Sequence, residues 1–283
     1  SCYIMHGTSV CDFGLKVEDA EATVARARAL GAQIFEQPVG PGELRIPAIR
    51  GVGGGVMHFI DDKTDLGRVW EIEFQPVDTR ARKARVGLKR IDHLAQTMNY
   101  KEMLTWKLFY TSIFRTATTP MVDVVDPAGL VRSQAIEGGD GRVRITLNGA
   151  DDQATLAGRF LAESFGPTVQ HLAFATDDIF ATAAALRTLG FRPLEISPNY
   201  YDDLEARFGI APDFGARLRD EHILYDQDGE GEYFQLYSPN YGEGFFFEIV
   251  ERRGGYRGYG AVNAPFRIAA QKRQIRPGTG PRR

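Results

Sequence analysis

Three side chains that could share one ion stand at related places in the chain. His93 lies in RIDHLAQ and His171 in TVQHLAF, and the two runs align as Ile91-Asp92-His93-Leu94-Ala95 over Val169-Gln170-His171-Leu172-Ala173. A histidine on a strand covered on both faces must find partners, and one alone reads as a satisfied core residue. Two at matched repeat positions point instead to a pair of rings that face one another across a shared sheet. A hard carboxylate is the usual companion of two imidazoles at non-haem iron(II). Glu248, in Phe245-Phe246-Phe247-Glu248-Ile249-Val250, is the candidate. Period-two alternation puts Phe246, Glu248 and Val250 on one face, so a carboxylate sits among apolar groups. Burying it is costly, and either a metal ion or a partner such as Arg252 relieves that cost.

The elements that must carry these residues repeat. SVCDFGLKVEDAEATVARARALG (9 to 31) lies over TVQHLAFATDDIFATAAALRTLG (168 to 190) without a gap. Each copy begins as a strand, turns at an acidic pair suited to a helix N-cap, and continues as an Ala-rich helix that stops at Leu-Gly. A third start is IDHLAQ, followed by a helix over 100 to 114. Strand-like runs follow the IDHLAQ start at 121 to 126, 130 to 137 and 142 to 149, and the TVQHLAF start at 221 to 228, 232 to 238 and 244 to 251. The fold class is therefore α+β, built from three βαβββ units. We expect a partial, metal-free first region over 1–75, because Asp12 replaces His171 in that copy and aligning Gly55 to Ile60 with Gly244 to Ile249 sets Phe59 opposite Glu248. A linker over 76–89, a metal-binding domain over 90–270 and a disordered basic tail over 271–283 complete the layout. The insertion after residue 190 is expected to fold as short helices over the mouth of a site.

Composition excludes several classes. In 283 residues with 43% hydrophobic and 25% charged side chains, the formal net charge is -3, which gives no reason to expect nucleic acid or an anionic membrane as partner. No apolar run reaches the length of a membrane span, and Cys2 and Cys11 are too few for a disulfide framework or a zinc site. A cytoplasmic homo-oligomer is the expectation.

With these runs in place, the chain resembles the vicinal oxygen chelate (glyoxalase and dihydroxybiphenyl dioxygenase) superfamily, and within it the 4-hydroxyphenylpyruvate dioxygenase family. HGTSVCDFGLKVEDA, IDHLAQ, GLVRSQAIE, ITLNG, VQHLAFATDDI, HILYDQDGEGEYFQLYS and FFFEIVERRGGYRGYGAVN carry the likeness over nearly the whole chain. The resemblance implies that the βαβββ units form curved open barrels with helices outside, and that His93, His171 and Glu248 bind Fe(II), with Mg, Mn, Co or Zn as other divalent choices. It implies a dioxygenase acting on an aryl 2-oxo acid with O2, and Ser133, Asn148, Gln170 and Gln235 around that substrate. Two places depart from the family pattern. Val262-Asn263-Ala264 lacks the aromatic clamp, and Leu156 replaces a glutamine. The chain also resembles the dioxygenase-like half of bacterial 3-dehydroshikimate dehydratase fusions, which implies a covalently joined N-terminal barrel and a chain that starts at the second of four units.

Overall fold

The computed structural model describes residues 2–75, 85–229 and 231–275. Helix α1 (Cys2–His6) precedes the first βαβββ unit: β1 (Asp12–Lys16), α2 (Ala20–Ala29), β2 (Ile34–Phe35), β3 (Ala48–Arg50) and β4 (Val56–Ile60), with the short α3 (Val69–Ile72) after it. The second unit comprises β5 (Arg90–Asn99), α4 (Tyr100–Ile113), β6 (Thr116–Thr118), β7 (Val122–Asp126), β8 (Gly129–Gly138) and β9 (Arg144–Ala150), then α5 (Leu156–Glu163). The third runs through β10 (Thr168–Ala175), α6 (Ile179–Thr188), α7 (Pro198–Phe208), α8 (Pro212–Asp220), β11 (Leu224–Asp228), β12 (Gly231–Tyr237) and β13 (Phe246–Arg253), and α9 (Ala264–Gln274) follows.

The first unit makes a four-stranded sheet ordered β1-β4-β3-β2. The other two share one mixed sheet, β11-β12-β13-β10-β5-β9-β8-β6 with β7 on β8, curled into a half-barrel. Each unit thus pairs its first strand with its last, in parallel. The seam of the large sheet is the antiparallel pair β5 and β10, which relates the second and third units by a pseudo-twofold. Residues 92 to 98 of β5 are buried without alternation, as a strand covered on both faces should be.

The helix starts repeat as closely as the strands. Asp19 accepts from the Ala22 amide at 2.8 Å, and Asp178 accepts from the Ala181 amide at 2.9 Å, satisfying free N–H groups of α2 and α6. A second carboxylate, delivered from just past or near the end of the fourth strand, caps each first turn: Asp61 on the Ala20 amide and Glu251 on the Ile179 amide. Gly31 and Gly190, at φ +85° and +88°, end the two helices in the left-handed region.

The first unit docks onto the third through a β-bridge between Val10 and Val169 and through the buried His6, whose ring nitrogens lie 2.7 and 2.9 Å from the carbonyl oxygens of Ser164 and Gly53. Gly53 is at φ +63°, and a Cβ built there would lie 1.9 Å from the Pro167 carbonyl oxygen. We expect Gly53→Ala to cost about 2–3 kcal/mol in urea unfolding, through both backbone strain and this clash. Gly54→Ala, with positive φ and open space, should cost about 1 kcal/mol and serves as the control.

Three expectations change. Helix α9 continues to Gln274 with Gln271 buried, so residues 271–274, assigned to the tail, are helical; Ile268 and Ala270 give this polar-looking segment an apolar face that packs down. Residues 276–283 of that tail, and 76–84 of the linker, lie outside the described residues. The insertion does fold as two helices, but Tyr200, Tyr201, Leu204 and Leu218 bury it in the core against β11 and β12 rather than over a mouth. Finally, the sheet register places His58, not Phe59, at the position of Glu248. Gly14 pairs with His58 as Ala173 pairs with Glu248. Phe59 faces the core instead.

Candidate metal centre

On the concave face of the large sheet, β5, β10 and β13 bring His93, His171 and Glu248 together, all buried. The His93 and His171 Nε2 atoms are 3.2 Å apart. Glu248 Oε2 lies 3.2 Å from the first and 3.4 Å from the second. The equivalence of the units explains why these strands meet there. Ala95 pairs with Thr146 and Ala173 with Glu248, so the pseudo-twofold maps His93 onto His171 and Thr146 onto Glu248. The fourth corner is therefore a hydroxyl, buried and without a hydrogen-bond partner among the described residues.

The protons around this cluster settle which atoms face inward. Burial opposes charge on His93, but Glu248 and Asp92, 3.2 and 2.9 Å from its two ring nitrogens, raise the imidazole, so the metal-free ring is charged and donates Nδ1–H to Asp92 and Nε2–H to Glu248; a metal ion would take the place of the Nε2 proton. Asp92 is held by Arg252, through Nε at 3.1 Å and Nη2 at 3.0 Å, and by Arg144 at 3.2 Å. Burial would raise the Asp92 carboxyl, but the hydrogen bonds from His93 and Arg252 hold it well below the usual carboxylate range. Burial likewise opposes charge on Glu248, and attraction to His93 overrides it, bringing the carboxyl down to about 2. His171 is different. Burial, opposed by Glu248 and reinforced by His93, pushes its imidazole down to about 3, so the ring is neutral. Its Nδ1 has no protein partner among the described residues, and stacking on Phe246, centroids 4.7 Å apart, fixes the ring.

Once a metal displaces the His93 proton, three donor atoms converge at one buried point. Bonds of about 2.1 Å to one ion give ligand separations of about 3.0 Å in octahedral and about 3.4 Å in tetrahedral geometry, bracketing those seen. Two imidazole nitrogens and one carboxylate oxygen suit a first-row divalent ion, and a positive centre would relieve the repulsion among them. Arg252, the other partner that β13 offered Glu248, is instead engaged by Asp92.

Beside the cluster opens a cavity of about 60 Å³ within a wider cleft open to solvent, lined among others by Ser133, Asn148, Thr146, Gln170, Tyr259 and Ala264. Ser133 donates to Asn148 Oδ1 at 2.8 Å, and Gln170 Oε1 accepts from Thr97 at 2.9 Å. A register irregularity between Val169 and His171 breaks strict alternation on β10, so the neighbours Gln170 and His171 both reach the cavity. Gln235 does not line it. Its amide nitrogen donates to Glu248 Oε1 at 2.9 Å and to Tyr237 at 2.6 Å, while its oxygen accepts from Asn263 at 2.8 Å. Gln235, expected beside a substrate, is placed here to hold the Glu248 carboxylate, packed against Tyr237 and Asn263.

Comparison with known proteins gives this arrangement a lineage. Residues 2–75 match the family described as hydroxyphenylpyruvate dioxygenase, N-terminal, and residues 90–229 match the glyoxalase/bleomycin resistance protein/dioxygenase superfamily. A 4-hydroxyphenylpyruvate dioxygenase from a Pseudomonas species is 32% identical over 269 residues, covering 91% of this chain and 74% of that protein. The chain belongs to the glyoxalase/dioxygenase superfamily, in its hydroxyphenylpyruvate dioxygenase-like branch. A 3-dehydroshikimate dehydratase from Pseudomonas aeruginosa is 40% identical over 266 residues, 94% of this chain but 42% of that protein. A solved structure of a xylose isomerase-like TIM barrel/4-hydroxyphenylpyruvate dioxygenase fusion protein superposes with a TM-score of 0.79 at 37% identity, over 96% of this chain and 43% of the other. The chain spans less than half the length of these two relatives.

Several residues of this dioxygenase-like site escaped sequence reasoning. Asp92 stood in the quoted motif, but its partners Arg144 and Arg252 are 52 and 160 positions away in the chain. Arg267, which walls the cavity near Ala264, carried no periodic signal, whereas Tyr259, a sequence candidate for filling the space beside Ala264, does line it. Tyr256 turns away from the cavity, stacking on Tyr233 with centroids 4.9 Å apart. Among the described residues no helix is long and apolar enough to cross a membrane.

Proposed function

We propose that this chain is an Fe(II)-dependent dioxygenase of the 4-hydroxyphenylpyruvate dioxygenase type, taking an aryl 2-oxo acid or a related small chelating ligand. The observation that carries the reading is the convergence of three donor atoms, 3.2 to 3.4 Å apart and buried, beside a cavity. His93, His171 and Glu248 would hold the ion, which supplies a Lewis-acidic centre for a chelating oxygen pair and for O2. Asp92 fixes the His93 tautomer, and Gln235 orients Glu248. Ser133, Asn148 and Gln170 offer hydrogen bonds to a ligand in the cavity, while α5 and α9 keep bulk water from its far side. Anaerobic loading with iron(II), followed by oxygen uptake with a panel of aryl 2-oxo acids, tests this. We expect about one iron per chain and uptake with at least one acid; bound iron with no uptake defeats the dioxygenase assignment.

A second reading has its own support. Ala264 and Leu156 remove side chains that the dioxygenase pattern uses, and 40% identity extends over only 42% of a 3-dehydroshikimate dehydratase. On this reading the chain is the dioxygenase-like half of such a fusion, with dehydration chemistry residing in a barrel elsewhere in the polypeptide. The 283-residue chain should then yield no protocatechuate from 3-dehydroshikimate, and full dehydratase activity from it would exclude the idea.

A further inference from the structure

The far wall of the cavity belongs to α9, whose Ala264, Arg267 and Ile268 face inward at helical spacings of three and four. Arg267 stands out there as a charge. Its guanidinium carbon lies 5.0 Å from the Phe246 ring centroid and 5.7 Å from that of Tyr237, and Phe246 in turn stacks on His171. Its polar partner among the described residues is the neutral amide oxygen of Gln271. The other polar groups beyond the triad that wall this end, Ser133, Asn148, Gln170 and Tyr259, are neutral too. A guanidinium seated on aromatic faces is partly stripped of water, and a bidentate acid is a stronger partner for its planar fork than the neutral Gln271 amide it now holds. The small side chain of Ala264, one turn away, leaves room for that acid to reach it.

We infer that Arg267 is a carboxylate subsite, and that the ligand of this cavity is two-ended: a chelating oxygen pair for the metal and, opposite it, a carboxylate for Arg267. The inference rests on the metal reading proposed above and narrows its substrate class from any chelating small molecule to one bearing a distal acid. An incoming carboxylate takes the fork in place of the Gln271 amide, and Tyr237 flanks the ring or chain that joins the two ends.

The test uses the whole chain loaded with cobalt(II), without oxygen, titrated with 3,4-dihydroxybenzoate or with catechol and followed by calorimetry and the visible cobalt spectrum. Both ligands offer the same oxygen pair; only one carries the acid. We expect the dihydroxybenzoate to bind at least about tenfold more tightly. Arg267→Leu should bring it to the catechol level while leaving catechol unchanged, and Arg267→Lys should keep part of the preference. Equal affinities in the unaltered chain overturn the subsite, as does an Arg267→Leu that weakens both ligands alike, which marks Arg267 as a structural cover for Phe246. A cobalt-loaded chain that responds to neither ligand overturns it as well. A chain that takes up no cobalt sinks the metal reading itself, so the two failures are told apart.

Discussion

Glu248→Ala is expected to abolish stoichiometric binding of divalent metal and, with it, the heat stabilisation expected from the metal. A ligand present at a hundred times its dissociation constant stabilises by about 2.7 kcal/mol, which for a chain of this size raises the melting temperature by about 5–10 °C. Removing the one anionic ligand leaves two neutral imidazoles, a set too weak to hold a hard divalent ion in a buried site. The melting temperature of the variant should be the same with metal as with a chelator. Metal analysis after gel filtration, paired with thermal melts in both conditions, checks this; full metal content in the variant would refute the assignment of Glu248. Thr146→Glu, at the position related to Glu248 by the pseudo-twofold, is the informative companion, since it tests whether the fourth corner can accept a carboxylate.

What made the triad legible was repetition. His93 and His171 occupy matched places in two copies of one unit, and the strand alternation around Glu248 put a carboxylate among phenylalanines. The same reasoning found the units, their helices and their caps, because those depend on residues close in the chain. It erred by one residue at Phe59, since aligning Gly-rich turns ignores how the parallel pairing of β1 with β4 sets register; read through the sheet, Asp12 and His58 hold the places of His171 and Glu248 and pair with each other at 3.0 Å. The first unit has thus kept the two polar positions and exchanged their chemistry.

Other features depend on distant partners and left no local trace. Gln235 shares a sheet with the triad, but which groups its amide meets is decided by Tyr237 and by Asn263, which arrives from the chain just before α9. The insertion looked like a lid because long connections often are. Its tyrosines decide otherwise: the Tyr200 hydroxyl accepts from the Tyr225 amide at 2.8 Å and lies 3.0 Å from both the Tyr225 carbonyl oxygen and Asn263 Oδ1, which share its one proton, tying α7 into the layer that supports Gln235.

Asp92 is where the second large effect is expected. It is 1% exposed and gathers His93, Arg144 and Arg252, so its charge compensates two guanidinium groups that are themselves mostly buried. Asp92→Asn removes the charge but keeps an oxygen that can accept from His93 Nδ1; Asp92→Ala removes both. Breaking a buried pair from one side costs about 3–5 kcal/mol, and we expect both variants to lose that much in urea unfolding of the metal-free protein. Metal affinity should separate them, falling about 10–100-fold only where the tautomer of His93 is no longer held, in the alanine variant. Acid adds a third readout. The Asp92 carboxyl is depressed in the folded chain, so its contribution is complete above the unfolded value of about 3.9 and is lost as pH falls toward the lower folded value. The acid limb of the stability curve should therefore flatten in Asp92→Asn. Adding Arg252→Leu to Asp92→Asn removes one stranded cation and should restore part of the loss, a non-additivity that appears only if the two side chains act as a pair. Strict additivity, or an Asp92→Asn as stable as the parent, would mean that the arginines are satisfied without Asp92 and that His93 owes its orientation to packing alone.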